Sequence, residues 1–341
     1  MVSRAVSDVL ADATWLAHRY DPEHDAFHYR HVARARHATV PFATDDCLGV
    51  EPAPVIIARK DVAHSGASPT PLHFIFHSGY CASTMLVRAL DVAGSAMGLS
   101  EPVVLNDMVG WRRRGADARL HGAVMKDALG QLARSFTDGE AVVVKPSNIF
   151  NGLAAGAMAL RPDARALLLY APLPEFLLSV ARKGMWCRLW ARELLDGLLQ
   201  DGLVDLGFEP HDYFRQSDLQ VAAVGWLAQQ ALFARIARLA GPGRVATLDS
   251  ETLTREPAAT VAKVAGHFAL PDVSGNAAAY ALHPAIERNS KSGEQFSPGE
   301  RQGDQDRARD AYGEEIDMVV TWARAVADHA GVAMSLPYPL T

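Results

Sequence analysis

One short segment carries the residue types from which an anion-binding loop is built. The apolar run Leu72–Phe76 leads into a turn made of Ser78, Gly79, Tyr80, Cys81, Ala82, Ser83 and Thr84. Backbone N–H groups in such a turn can converge on a negative charge, and a helix that begins directly after it adds a favourable dipole. The pattern departs from the Walker motif GxxxxGK[ST], because Ala82-Ser83 stand where Gly-Lys would be. The segment therefore predicts an anion site, with a plain strand–turn–helix capped by a serine as the alternative.

Two charged residues follow predicted strands. Lys145 ends the strand that begins at Ala141, and Glu101 follows the weaker strand 95–100. Open parallel sheets bind ligands at the carboxyl ends of their strands. Charged side chains at this edge are therefore candidates for contact with a ligand. A surface lysine at a strand end and a glutamate at a helix start are the alternatives.

The elements that would position these residues alternate between short apolar strands and helical stretches. Strands are predicted over 72–76, 95–100, 141–144, 164–170 and 244–248, with helices between them. The main helices are expected over Thr84–Ala93, Asn148–Leu160, Pro174–Leu199, Ser217–Leu239 and Asp304–Ala330. This alternation predicts βαβ units and an α/β fold with a parallel five-stranded sheet flanked by helices.

The chain is expected to divide near residue 70. Residues 1–70 are interpreted as a helical or irregular extension packed on the core, with a helix over Ser7–His18 and an irregular stretch rich in His and Arg beyond it. Residues 71–341 are interpreted as one α/β domain, because no linker separates the predicted strands. A loop is expected over Arg288–Gly303, where Ser, Gly, Gln and charged residues are frequent.

Composition narrows the class of protein. Hydrophobic residues make up 49% of the chain and charged residues 21%, which allows a large core, and the net charge of −6 argues against nonspecific nucleic-acid binding. The three cysteines form no CxxC pair, which favours a reducing compartment. The N-terminus has no apolar core of a signal peptide, and no run of 18 apolar residues occurs. A cytoplasmic protein with no membrane or nucleic-acid partner is expected.

Two of these segments resemble the sulfotransferase family. Residues 80–86 are similar to its 5′-phosphosulfate loop at Ser83, Thr84 and Leu86, and residues 245–271 are similar to its late strand–turn–helix. The resemblance implies a P-loop NTPase-like fold of the sulfotransferase type. It also implies transfer of a sulfuryl group from 3′-phosphoadenosine-5′-phosphosulfate (PAPS) to a hydroxyl or amine of a small-molecule acceptor, without a metal.

The same resemblance assigns roles to the charged residues. Lys145 matches a family lysine that contacts the transferring group, and Glu101 lies where some branches have a glutamate base. Tyr80 replaces a basic residue of the family loop, and Ala82 replaces a glycine. Lys145 is therefore expected to supply the positive charge that position 80 lacks. Ser147 stands where the cytosolic branch has a histidine base.

Residues for the nucleotide 3′-phosphate follow the fourth strand. Ser179 matches the family serine, whereas Ala171 stands where the family has an arginine. Arg182 and Lys183, about one helical turn beyond Ser179, are expected to replace that arginine. The family's C-terminal basic loop corresponds here to Arg288, Lys291 and Gly293.

Two other functions remain open at this point. A nucleotide-dependent phosphotransferase would use the same topology, although the Walker lysine and an evident Mg²⁺-binding aspartate are missing. A non-catalytic binding protein that lost its cofactor site would explain the departures at Tyr80 and Ala171. The sequence specifies neither the acceptor nor the oligomeric state.

Overall fold

A computed structural model describes residues 4–49, 52–63, 70–271, 278–281, 283–286 and 298–340. The strands are β1 (Trp15–Asp21), β2 (Ala26–His31), β3 (Val55–Ala58), β4 (Leu72–His77), β5 (Ala96–Ser100), β6 (Ala141–Lys145), β7 (Ala166–Tyr170) and β8 (Val245–Asp249). The first helices are α1 (Arg4–Ala11), α2 (Arg34–Thr39), α3 (Asp45–Leu48), α4 (Arg59–Ala63), α5 (Ser83–Ala89), α6 (Val103–Arg113), α7 (Ala118–Leu132) and α8 (Ala154–Leu160). The later ones are α9 (Leu173–Arg182), α10 (Met185–Gln200), α11 (Asp218–Ala240), α12 (Ser250–Arg255), α13 (Pro257–His267), α14 (Ala278–Ala281) and α15 (Pro298–Ala330). Short 3₁₀ helices cover Asn148–Leu153, Asp212–Arg215 and Pro284–Ile286.

The larger sheet confirms the predicted fold class. Its strand order is β5-β6-β4-β7-β8, and every neighbouring pair is parallel. The first strand of this sheet, β4, lies in the centre, so the loop that follows it opens at the middle of the carboxyl edge. The ends of β5 and β6 are adjacent there, because Ser100 pairs with Lys145 in the parallel register.

Both faces of this sheet are covered, which explains why its strands are nearly continuous apolar runs. Successive side chains of a strand point to opposite faces. On β4, Phe74 and Phe76 join the core layer formed with α6, α7 and α8, whereas Ile75 joins the layer formed with α5, α9 and α13. Helix α11 contributes to both layers through residues such as Phe233 and Leu227.

The N-terminal segment differs from its predicted helical or irregular structure. The predicted helix over Ser7–His18 is wrong beyond Ala11, because β1 and β2 form an antiparallel hairpin, and β3 pairs with β2. Most residues of this hairpin are buried on both of its faces, with Phe27 and Tyr29 fully shielded and His18 and Arg30 almost so. The division of the chain near residue 70 stays a prediction.

Several helix boundaries also differ from the prediction. The single helix expected over Pro174–Leu199 is broken into α9 and α10 at Gly184, whose φ of 69° is a conformation that glycine adopts readily. The C-terminal helix α15 begins at Pro298, so 298–303 are helical rather than part of the expected loop. Proline suits the first turn of a helix, which explains that start. No helix in the described part of the chain is both long and apolar enough to cross a membrane.

Candidate active site

The loop after β4 has an unusual backbone. Gly79, Tyr80 and Ala82 all have positive φ, at 92°, 53° and 61°. For Tyr80 and Ala82 this left-handed conformation is costly, because a Cβ crowds the following carbonyl. Ala82 directly precedes α5, and the first two residues of that helix, Ser83 and Thr84, are both buried. The loop therefore makes the tight turn that the sequence predicted, with alanine at a strained position where glycine was expected.

Buried amides from distant elements hold this loop in place. The Asn151 Nδ2 group donates to the carbonyl oxygen of His77 at 2.9 Å, and Gln229 Nε2 lies 3.5 Å from the carbonyl oxygen of Ser78. The Asn151 amide also donates to Gln229 Oε1 at 3.2 Å. The Ser78 hydroxyl accepts from the amide of Ala171 at 3.2 Å. Sequence reasoning missed Asn151 and Gln229, because single amides on helices carry no recognisable motif.

Position 171 has a structural role in this chain. Ala171 is fully buried, and its carbonyl oxygen accepts a 2.8 Å hydrogen bond from Trp226 Nε1. Its amide donates to Ser78, as described above. Ala171, at the position of the arginine in the resembled motif, thus links the end of β7 to the loop and to α11.

Tyr80 points away from the turn and toward α9 and α10. Its hydroxyl lies 2.7 Å from Cys187 Sγ, and its ring meets Trp190 edge-on at 5.2 Å. Burial raises the pKa of Tyr80, with the Cys187 contact as a smaller cause. The Nζ of Lys183 lies 5.6 Å from the centre of the Tyr80 ring, within cation–π range. A cation therefore lies next to position 80 although the loop itself has none there.

The two residues predicted to be catalytic are in direct contact. Lys145 Nζ donates to Glu101 Oε1 in an ion pair across the ends of β6 and β5. The Lys145 side chain is completely buried, whereas Glu101 is 19% exposed. The Glu101 amide donates to the Lys145 carbonyl oxygen at 2.7 Å, and Glu101 has a positive φ of 49°. Phe42, from the N-terminal segment, places its ring 5.2 Å from Lys145 Nζ.

This ion pair adjoins the loop. His77, the last residue of β4, has its Nε2 atom 3.9 Å from Glu101 Oε1. Burial raises the pKa of the Cys81 thiol in the loop, and the charge of Lys145 opposes part of that rise. The loop, the ion pair and His77 therefore share one place at the carboxyl edge of the sheet.

A group of cations lies beside α9. Arg182 and Lys183 line a surface depression of about 430 Å³ together with Arg307 and Tyr312 of α15. Ser179 lies four residues before Lys183 on the same helical surface and is half-buried. The sequence analysis missed Arg307, because its distance along the chain hides its approach to α9.

The remaining predicted phosphate ligands are Arg288 and Lys291, which lie with Gly293 outside the described residues. Across the described residues, no group of three or more His, Cys, Asp and Glu side chains is placed to hold a metal ion.

Comparison with known proteins gives a fold likeness. Neither the protein-family models nor the curated proteins compared with this chain gave a match. Among the solved structures that are similar to this chain, three are sulfotransferases or sulfotransferase domains.

The first is a sulfotransferase domain from the curacin biosynthetic pathway, with 16% identity and a TM-score of 0.41, covering 81% of this chain and 95% of that one. The second comes from the olefin synthase of Synechococcus PCC 7002, with 11% identity and a TM-score of 0.39, covering 71% and 88%. The third is a sulfotransferase from Alicyclobacillus acidocaldarius, with 15% identity and a TM-score of 0.41, covering 77% and 97%.

Proposed function

We propose that this protein is a sulfotransferase that uses PAPS to sulfate a hydroxyl or amine of a small-molecule acceptor. The observation that carries the proposal is the Lys145–Glu101 ion pair at the ends of two adjacent parallel strands, beside the loop 78–84. A cation and a carboxylate at one carboxyl edge are the two charged groups that sulfuryl transfer requires.

The charge distribution fits a ligand with two anionic ends. The loop 78–84, with Lys145 next to it, would take the phosphosulfate end of PAPS. The depression lined by Arg182, Lys183 and Arg307 would take the 3′-phosphate, because a partly buried phosphate needs several cations or donors. Ser179 would add a hydroxyl there. Lys183 lies between the two regions, since its ammonium also reaches the ring of Tyr80 in the loop.

When bound, PAPS would supply an activated sulfuryl group and the adenosine 3′,5′-bisphosphate that leaves. The hydroxyls of Ser83 and Thr84 and backbone amides of the loop would orient its anionic end. Lys145 would place positive charge at the bridging oxygen. Glu101 would accept the proton of the acceptor hydroxyl or amine. Lys145 and Glu101 would have to separate for both roles, so the ion pair would be a resting arrangement that ligand binding opens.

A thermal-shift titration with adenosine 3′,5′-bisphosphate tests the proposal. We expect a saturable rise of a few degrees in melting temperature. Adenosine 5′-monophosphate, which lacks the 3′-phosphate, should give a much smaller rise at the same concentration. A response confined to ATP with Mg²⁺ would instead favour phosphoryl transfer. No response to any of these nucleotides would favour a binding protein without a cofactor.

Turnover is the second step of the test. Release of the bisphosphate from PAPS is measured with a set of hydroxyl and amine acceptors. Substituting Lys145→Ala should remove most of this release, because the bridging oxygen then loses the positive charge that stabilises it as it leaves. Release unchanged in Lys145→Ala would exclude Lys145 from the mechanism.

A further inference from the structure

Asn148 has a buried side-chain amide without a partner. It follows Lys145 by three residues and begins the 3₁₀ helix Asn148–Leu153. The residue is only 6% exposed, and its Nδ2 group is shielded from solvent with no hydrogen-bond acceptor among the described residues. An amide NH₂ buried in this way destabilises a protein unless something accepts its hydrogens.

The neighbouring amide in the same helix has hydrogen-bond partners. Asn151, three residues later in the same 3₁₀ helix, uses its Nδ2 group to bind the His77 carbonyl and Gln229. One amide of this helix therefore holds the loop, whereas the Nδ2 group of the other is left unused.

The unused amide faces the anion-binding loop. A Cβ placed on Gly79 would lie 3.7 Å from Asn148 Nδ2 and 3.1 Å from Trp190 Cη2. Gly79 therefore packs directly against the Trp190 ring, and the Asn148 amide lies beside the loop backbone at the same point. A buried, unpartnered donor next to the loop backbone is a candidate ligand for an anion that the loop holds.

We propose that the Asn148 amide donates to the non-bridging oxygens of the transferring sulfuryl group. This assignment rests on the proposed function. An uncharged donor orients those oxygens without competing with Lys145 for Glu101, and a donor fixed before the reaction stabilises charge at no reorganisation cost. Asn148 would then contact the sulfuryl group, which PAPS carries and its product adenosine 3′,5′-bisphosphate lacks.

The test compares binding of PAPS and of adenosine 3′,5′-bisphosphate, so it needs no acceptor. In Asn148→Ala we expect the affinity for PAPS to fall about tenfold, the size of one lost hydrogen bond to a charged group. The affinity for the bisphosphate, which has no sulfuryl group, should stay within about twofold. The ligand-free variant should melt at or above the temperature of the original protein, because an unpaired buried donor has been removed. Asn148→Asp, of equal size but with an acceptor in place of the donor, should bind PAPS more weakly still.

Gln230 provides the matched control. Its side-chain amide is also buried and unpartnered within the described residues, but it lies on α11. Gln230→Leu should leave both affinities unchanged. If Asn148→Ala keeps the original ratio of PAPS to bisphosphate affinity, or melts well below the original protein, the assignment is wrong and Asn148 is structural. If the original protein binds neither nucleotide, the proposed function itself fails, and this assignment fails with it.

Discussion

The amide of Gly79 donates to Nδ1 of His77 at 3.2 Å, while the other ring nitrogen of His77 lies 3.0 Å from the Pro146 carbonyl oxygen. Nδ1 can accept only when it carries no proton, so Nε2 carries the proton and donates to Pro146. One neutral imidazole therefore ties the start of the loop to the residue that follows Lys145. The loop and the end of β6 are held together by a side chain that no sequence motif marked.

Removing this imidazole should damage both stability and ligand binding. His77→Ala leaves the Gly79 amide and the Pro146 carbonyl without partners in a buried place. We expect a loss of about 2–4 kcal/mol in the free energy of unfolding, measured in urea. Affinity for adenosine 3′,5′-bisphosphate should fall at least about tenfold, because the loop loses its anchor.

His121 serves as the control for this substitution. It is also buried, and its Nε2 atom lies 2.9 Å from the Met108 carbonyl oxygen, in the α6–α7 layer. His121→Ala should destabilise the protein but leave nucleotide affinity unchanged. Equal nucleotide affinities for His77→Ala and His121→Ala would mean that His77 does not shape the loop.

Removing Glu101 should destabilise the protein more than removing Lys145. Glu101→Gln leaves a fully buried ammonium without its counter-ion, which should cost about 3–5 kcal/mol of unfolding free energy. Lys145→Met leaves a carboxylate that solvent can reach, so the loss should be about 1–2 kcal/mol. The double variant should be more stable than Glu101→Gln alone. Urea unfolding of all three proteins measures the coupling.

A surface pair gives the matched comparison. Glu175 is 19% exposed, like Glu101, but its partner Arg309 is 55% exposed. Glu175→Gln and Arg309→Gln should each change the unfolding free energy by less than about 1 kcal/mol. A loss in Glu101→Gln no larger than in Glu175→Gln would contradict the inference that Lys145 depends on Glu101.

The strained loop residue Ala82 can be relaxed. With φ 61° and ψ 20°, alanine pays for a left-handed conformation that glycine adopts freely. Ala82→Gly should therefore raise the free energy of unfolding by about 0.5–1 kcal/mol. Ala325→Gly, at an exposed position inside α15, should lower it by about 1 kcal/mol. Equal destabilisation by the two substitutions would mean that Ala82 is not in a strained left-handed conformation.

The sheet was predictable from the sequence because its signals are local. Each strand is a short apolar run, such as Ala141–Lys145, and the βαβ alternation fixes parallel pairing. The placement of Lys145 and Glu101 at the same edge of the sheet followed from that pairing, since the carboxyl ends of parallel strands share one edge. Their direct ion pair did not, because side-chain contacts depend on burial that spacing does not encode.

The residues that hold the loop and line the depression were not predictable, because their contacts join elements that are distant in the sequence. Asn151, Gln229 and Arg307 reach the loop or α9 from elements far away in sequence, and two of them bind backbone atoms. The N-terminal hairpin was missed because its apolar and polar residues do not alternate: Trp15, Leu16 and Ala17 are consecutive, and the polar residue His18 is buried. The break at Gly184 was missed because a single glycine is compatible with a continuous helix.

A buried histidine outside the site should make stability depend on pH. Burial lowers the pKa of His37 from 6.5 to about 4, and its Nε2 atom has no partner among the described residues. The unfolded chain binds a proton below pH 6.5 that the folded protein does not. The contribution of neutral His37 to the free energy of unfolding is therefore complete above pH 6.5. About 3 kcal/mol of it is lost as the pH falls toward 4.

His37→Phe isolates this contribution. The phenyl ring keeps the edge-on contact with Phe136, whose ring centre lies 5.7 Å from that of His37. At about pH 8 the unfolding free energies of the variant and the original protein should differ by less than about 1.5 kcal/mol. At about pH 4.5 the variant should have lost clearly less stability. Parallel pH curves for the two proteins would show that His37 does not titrate on unfolding.

The cationic depression beside α9 should govern nucleotide affinity. Arg307→Gln or Arg182→Gln removes one of the charges that we propose for the 3′-phosphate, and affinity for adenosine 3′,5′-bisphosphate should fall about tenfold in each. Affinity for adenosine 5′-monophosphate should change little, because that nucleotide has no phosphate to place there. The ratio of bisphosphate affinity to monophosphate affinity thus distinguishes a direct contact with the 3′-phosphate from a general effect of the lost charge.

Arg238 is the control, since it is an exposed arginine on α11 outside the depression. Arg238→Gln removes the same charge from the molecule but should leave the bisphosphate-to-monophosphate ratio unchanged. Raising the salt concentration should weaken bisphosphate binding more in the original protein than in Arg307→Gln, because the variant has fewer charges to screen. If the ratio stays constant in Arg182→Gln and Arg307→Gln, the 3′-phosphate binds elsewhere and the depression has another role.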